Sequence, residues 1–291
     1  MQWFGGRESD NVEEGSSSGG GGRGLFFGGG IIGFIGLLIY LFTGINPAQL
    51  LNGGSSGDSS QQQNTRVTSG PEGMQKKFSR VILAGTEDVW TEIFSSMGRT
   101  YTKPTLHLYS EGVDAHGCGF ASSATGPFYC PADRKVYLDT SFFTEMQRRF
   151  HAPGEFAAAY VIAHEVGHHV QNLLGVSQKM EQARQSMSKK EYNKLSVKLE
   201  LQADFYAGIW AHYEAKNQSG IVINRADIDS ALTAAHAIGD DRLQQQYQGH
   251  VEPDSFTHGT SAQRAYWFKK GFDTGDISQG NTFAAGEMEG Q

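Results

Sequence analysis

Apolar positions divide this chain into regions of different character. Residues 1–24 are mostly Gly, Ser and acidic side chains with little apolar content, and they read as a disordered Gly-rich tail. Leu25 to Ile45 is an apolar run of 21 residues without a charge. As a helix it would be about 31 Å long, matching a hydrocarbon core of ~30 Å, so a transmembrane helix is predicted over residues 25–45. Residues 46–74 are polar and rich in Gly and Ser, as a flexible linker is. One folded domain is expected over residues 75–291.

Within that domain the period changes from helical to alternating and back. Phe78, Val81, Ile82, Val89 and Ile93 recur at helical spacing over residues 75–97. Pro104 interrupts them, and the segment from Thr105 to Ser110 alternates as a strand does. Residues 118–140 read as two or three short strands, turning at Gly126-Pro127 and at Pro131-Ala132-Asp133. After Gly154 the pattern is helical. One helix covers 155–174 and is closed by Gly175; a second opens at the Ser188/Glu191 capping box and runs to about Lys216. A third runs from Arg225 to Tyr247 behind Asn224, and the Thr260/Gln263 capping box opens a last one. The expected fold class is α+β, mainly helical with a small sheet, preceded by one transmembrane helix.

Composition and charge narrow the partners. Many of the 38 glycines crowd the first 75 positions and only 38% of the residues are hydrophobic, as where part of a chain builds no core. The net charge is −7 without a long basic run, which argues against a nucleic-acid partner. Arg7 and Arg23 precede the apolar run, and no Lys or Arg follows it before Arg66. The positive-inside rule then predicts a cytoplasmic N-terminus and a domain on the far side of the bilayer. Cys118 and Cys130 are too few for a zinc ribbon; in an oxidising compartment they are expected to form a disulfide, the alternative being two buried thiols.

The candidate chemistry lies in Val161-Ile162-Ala163-His164-Glu165-Val166-Gly167-His168-His169. Residues four apart share a helical face, so His164 and His168 can both reach one tetrahedral zinc. Glu165 stands beside the metal without binding it, placed to take a proton from water and hand it to a leaving amine. An HExxH pattern arises by chance in roughly one such chain in fifty, so its surroundings must carry the reading. Phe156, Tyr160, Ala163, Val166, Val170 and Leu174 mark this helix as buried, and buried polar groups without partners are costly. Gly167 costs ~1 kcal/mol against Ala inside a helix, which points to a close approach there. His169 is off the shared face and reads as a surface or supporting residue.

A catalytic zinc needs a third protein ligand and an open position. Glu200 and Asp204, in the next helix, are again four apart and flanked by Leu199, Leu201, Phe205 and Ile209. One carboxylate can bind the metal while the other accepts the distal N–H of a ligand histidine. Taken alone, the pair reads as readily as a solvated acidic face. Asp240 and Asp241, near the C-terminal end of the third helix, would oppose its dipole, and nothing in the sequence explains them.

The segments HEVGHH and ELQADFYAG together resemble the zincin pattern, in which a glutamate from a downstream helix is the third ligand. Over essentially its full length the chain resembles the bacterial neutral zinc metallopeptidases. The match rests on a Gly-rich N-terminus, one membrane span, the FYCPADRKVYLD segment, HEVGHHVQ and a late FTHGTSAQR. The resemblance implies a zincin-like metallopeptidase domain with one Zn2+ per chain, held by His164, His168 and Glu200. It implies Glu165 as general base and Asp204 as the support of a ligand. Related zincins steady the oxyanion with a late His, Tyr or Arg, a role open to His258 or to Arg264; the alternative for His258 is a loop or capping histidine, and Arg264 is expected to pair with a buried carboxylate instead. Zincins also lay substrate along an edge strand, for which Tyr129 to Thr140 is the matching segment.

The resulting expectation is a metalloendopeptidase anchored by a single pass in a bacterial inner membrane, its domain periplasmic or extracellular. Its substrate would be a peptide or an unfolded protein segment. Two rival readings are a zinc-stabilised binding or chaperone-like module and a zinc hydrolase acting on other amides, such as cell-wall peptides.

Overall fold

The computed structural model describes residues 1–15, 71–110, 112–122, 125–143, 155–217 and 220–284. The predicted transmembrane helix over 25–45 and nearly all of the predicted linker lie outside them. Among the described residues no helix is long and apolar enough to cross a membrane.

The order of elements begins with β1 (Val12–Glu14), α1 (Pro71–Ser96), β2 (Thr105–Tyr109), β3 (Gly112–Ala115), β4 (Gly119–Ser122), β5 (Phe128–Cys130) and β6 (Lys135–Asp139). Helices follow: α2 (Glu155–Leu173), α3 (Val176–Ser186), α4 (Lys189–Asn217), α5 (Arg225–Ala237), α6 (Asp240–Gln248) and α7 (Ser261–Thr274). Strands β1, β2, β6 and β5 form one sheet in that order. The pairs β1–β2 and β2–β6 are parallel, while β5 runs antiparallel to β6. Strands β3 and β4 make a separate antiparallel hairpin.

Side chains alternate across the sheet and so feed two apolar clusters. Leu106, Leu108, Val136 and Leu138 join the main core with α1 and α2, whereas Tyr109, Phe128, Cys130 and Tyr137 pack under the hairpin. The Cys118–Cys130 disulfide ties the hairpin to β5. Helix α2 is buried continuously from Phe156 to Gln171; a helix apolar on most of its surface must be enclosed, and each large side chain so buried contributes about 1.5–3 kcal/mol. Helices α4 and α7 pack along each other, and α2 packs on α4.

Several expectations are corrected. Residues 1–15 are not a disordered tail. Trp3 is 1% exposed, packs edge-on against Phe78 and donates from Nε1 to Glu155 at 2.8 Å. Gln2 bridges to Val222, and Val12 pairs with Leu106. One large apolar side chain and one short strand outweigh a composition that is polar on average. The third predicted helix is two helices, α5 and α6, parted at Ile238-Gly239, and α3 was not anticipated beyond the left-handed Gly175. Strand β6 lies inside the sheet, so within the Tyr129–Thr140 segment only the β5 residues stand at its edge.

Candidate metal centre

Helices α2 and α4 cross at Gly167. A Cβ on that residue would stand 3.0 Å from the carbonyl oxygen of Ala203 and 3.1 Å from its Cα. The absent side chain lets the two backbones close up. The turns bearing His164 and His168 are thereby brought against those bearing Glu200 and Asp204.

His164, His168 and Glu200 are buried, and one ligand atom from each lies within 4.8 Å of the others. Nε2 of His164 is 3.2 Å from one Glu200 oxygen, and Nε2 of His168 is 3.5 Å from the other. On the far side of each ring, Nδ1 of His164 meets Asp204 and Nδ1 of His168 meets Oε1 of Gln171, both at 2.8 Å. The Gln171 amide is oriented by its own donations to the Leu199 carbonyl and to Gln202, at 2.7 and 3.1 Å. Both Nδ1 partners are therefore acceptors, and each Nδ1 carries the hydrogen.

Each Nε2 then faces a Glu200 carboxylate oxygen, a contact that holds only with a proton or a cation between the two atoms. Electron-rich atoms so placed in a buried site call for a positive charge between them. Burial disfavours a charged His164, yet Asp204 and Glu200 outweigh it and raise its pKa to about 9. Burial also penalises a charged Glu200, but His168 and His164 hold its carboxyl well below the usual range. Two imidazole nitrogens and a carboxylate are a donor set that fits zinc. Glu165 is buried beside them, within electrostatic reach of His168, His164 and Glu200, and burial raises its pKa.

Asp204 is the hub behind the ligands. It accepts from His164, from the Tyr160 hydroxyl and from two nitrogens of Arg264. Burial opposes its charge, but Arg264 and His164 lower its pKa to about 2. Arg264 thus pairs with a buried carboxylate, as expected from the sequence.

His258 is buried in the loop before α7. Gly259, at a φ of 93°, lets that loop lie on α4, where a Cβ would come within 3.1 Å of Val197 and 3.3 Å of Leu201. The loop is built on Asp240, whose Oδ2 accepts the backbone N–H groups of Thr257, His258 and Gly259 at 2.7, 2.7 and 3.1 Å. Its Oδ1 lies 3.2 Å from Nδ1 of His258. Burial works against a charged His258, but Asp240 and Glu200 raise its pKa. Asp240 and Asp241 stand at the start of α6, where acidic side chains suit the helix dipole. Ser261 is held by Asp241 through both its backbone N–H and its hydroxyl.

His169 is a buried tie rather than a surface residue. Its Nδ1 accepts from the Tyr129 hydroxyl at 2.9 Å and its Nε2 donates to the Thr102 carbonyl at 2.6 Å, fixing β5 to α2. Reading the sequence missed Gln171 and Asp240. Gln171 carried a usable signal, since it follows His168 by three on the same helical face. Asp240 carried a signal only as an acidic residue set against a helix dipole, left unexplained while the break before α6 went unseen.

Fold and site together define a helical domain with a small sheet, holding an HExxH helix and a downstream glutamate in one buried cluster that could hold a metal ion. The chain belongs to the family described as "Putative neutral zinc metallopeptidase", whose model matches residues 1–283. It is 51% identical over 290 residues to "Uncharacterized protein YpfJ" of Escherichia coli (strain K12), covering 97% of this chain and 99% of that one. It is 43% identical over 219 residues to "Uncharacterized protein Rv2575" of Mycobacterium tuberculosis, covering 72% of this chain and 71% of that one. No solved structure matches the chain.

Proposed function

We propose that this chain is a zinc-dependent endopeptidase acting on peptides or unfolded protein segments, with Glu165 as its general base. The supporting observation is the facing of two imidazole Nε2 atoms and one carboxylate in a buried cluster beside a further buried glutamate. Zinc held by His164, His168 and Glu200 would supply Lewis acidity, making water more acidic and polarising the scissile carbonyl. Glu165 takes the proton of the attacking water on its carboxylate and returns it to the departing amine. Asp204 and Gln171 keep both ligand rings in one tautomer and one orientation. His258, with Nδ1 turned to Asp240, offers Nε2 to the carbonyl oxygen as negative charge develops there. The substrate backbone adds alongside β5, the sheet edge that His169 and Asn172 fasten to α2 through Tyr129.

The deciding experiment compares the full chain with its Glu165→Gln variant for zinc content and casein hydrolysis. Zinc in both, with hydrolysis lowered by about 10²–10⁴ in the variant, is the expected outcome. Undiminished hydrolysis by Glu165→Gln would sink the mechanism. Zinc in both proteins without hydrolysis by either would favour a binding module, and wild type without zinc would end the metal assignment.

A further inference from the structure

The first 15 residues are an integral part of the domain. Beyond the burial of Trp3 and the β1–β2 pairing, they complete the surroundings of Glu87, a carboxylate on α1 with no side-chain exposure. Ser9 Oγ and Asn11 Nδ2 donate to its Oε1 at 2.5 and 2.7 Å, and Arg7 donates to its Oε2 at 3.1 Å. Arg7 also reaches the Ala84 carbonyl at 2.9 Å and Asp88 at 2.7 Å. Withdrawing this arm would leave a buried carboxylate stripped of most of its donors, a costly state.

A single crossing by residues 25–45 would put this arm and the domain on opposite sides of a bilayer. A 15-residue segment cannot pair with β2 and also lie beyond a membrane. The charge bias that favoured a single crossing was Arg7 and Arg23 against nothing, and Arg7 is engaged by Glu87 and Asp88. The family match also runs through the arm, from residue 1.

We infer that residues 1–15 and the HExxH domain occupy the same side of the membrane.

The test uses the full chain in its host membrane, with single-cysteine substitutions at two exposed positions, Asp10→Cys in the arm and Gln178→Cys on α3. A membrane-impermeant maleimide is applied to spheroplasts and to lysed membranes, and the labelled peptides are identified by mass spectrometry. The same-side arrangement requires both positions to label in the same preparation, both in spheroplasts or both only after lysis. Labelling of one in spheroplasts and of the other only after lysis overturns it. A second variant, Gln2→Cys with Val222→Cys, probes the contact itself. These residues exchange backbone hydrogen bonds of 3.0 and 2.7 Å across an antiparallel bridge, a spacing of about 5.5 Å between Cα atoms that a disulfide can span. A 2–222 cross-link formed in the membrane-inserted protein supports the same conclusion independently of the label.

Discussion

Asp204 and Arg264, 60 residues apart in sequence, meet in a two-pronged ion pair of 2.8 and 2.9 Å with both side chains fully buried. The pair ties α7 to α4 and fixes the carboxylate that orients His164. Arg264→Leu would leave the buried Asp204 charge with only His164 and Tyr160 to offset it, at a cost of about 3–5 kcal/mol. Arg264→Lys should be intermediate, since an ammonium replaces the fork with a point charge. Urea unfolding of the three proteins measures this, and a midpoint unchanged by Arg264→Leu would show that the pair holds nothing together. Asp204→Asn should weaken zinc binding by roughly 10–100-fold in a chelator competition.

Gly167 sets the helix spacing on which the site depends. Gly167→Ala gains helix propensity, yet its methyl group would press on the Ala203 backbone, which has no flexible end to give way. A net loss of about 1–3 kcal/mol is expected, with weaker zinc binding as α2 and α4 part. A more stable variant with full zinc affinity would show that the crossing has slack.

His258→Ala should lower kcat by roughly 10²–10³ while zinc content and KM stay near the wild-type values. Asp240→Asn should act in the same direction, as a residue that positions His258. A change in KM alone for either variant would assign this loop to substrate binding.

Glu87 gives the arm an acid-sensitive attachment. Burial resists its charge, but hydrogen bonds from Ser9, Asn11, Lys103 and Arg7 hold its pKa below the ordinary value of 4.5. A carboxylate with a depressed native pKa binds fewer protons folded than unfolded, so its stabilisation is present above pH 4.5 and fades as the pH falls through the native value. Glu87→Gln should therefore be less stable than wild type by about 1–3 kcal/mol near neutral pH. The gap should close in acid; thermal unfolding across that range measures it, and a gap independent of pH would contradict the charge argument.

What could be read from the sequence was what is local. The HExxH spacing, the Ser188/Glu191 and Thr260/Gln263 capping boxes and the strand after Pro104 each depend on neighbours within a few residues, and each stands where it was expected. Relations across the chain were hidden. Trp3 looks like a stray apolar residue in a polar segment until Phe78 and Glu155 close around it. Residues 135–139 carry no mark of whether a neighbour lies on one side or both. The break before α6 follows from Asp240 serving the His258 loop, which no helical period records.

The position of β1 also bears on how the molecule avoids its own kind. It covers one side of β2, whose backbone N–H and C=O groups would otherwise form an open sheet margin next to an apolar core. A chain begun at residue 71 would expose that margin and the hollow vacated by the Trp3 indole, a ready template for strand exchange between copies. A shortened chain that clumps would therefore be reporting the loss of this cover and not a fault in its metal site.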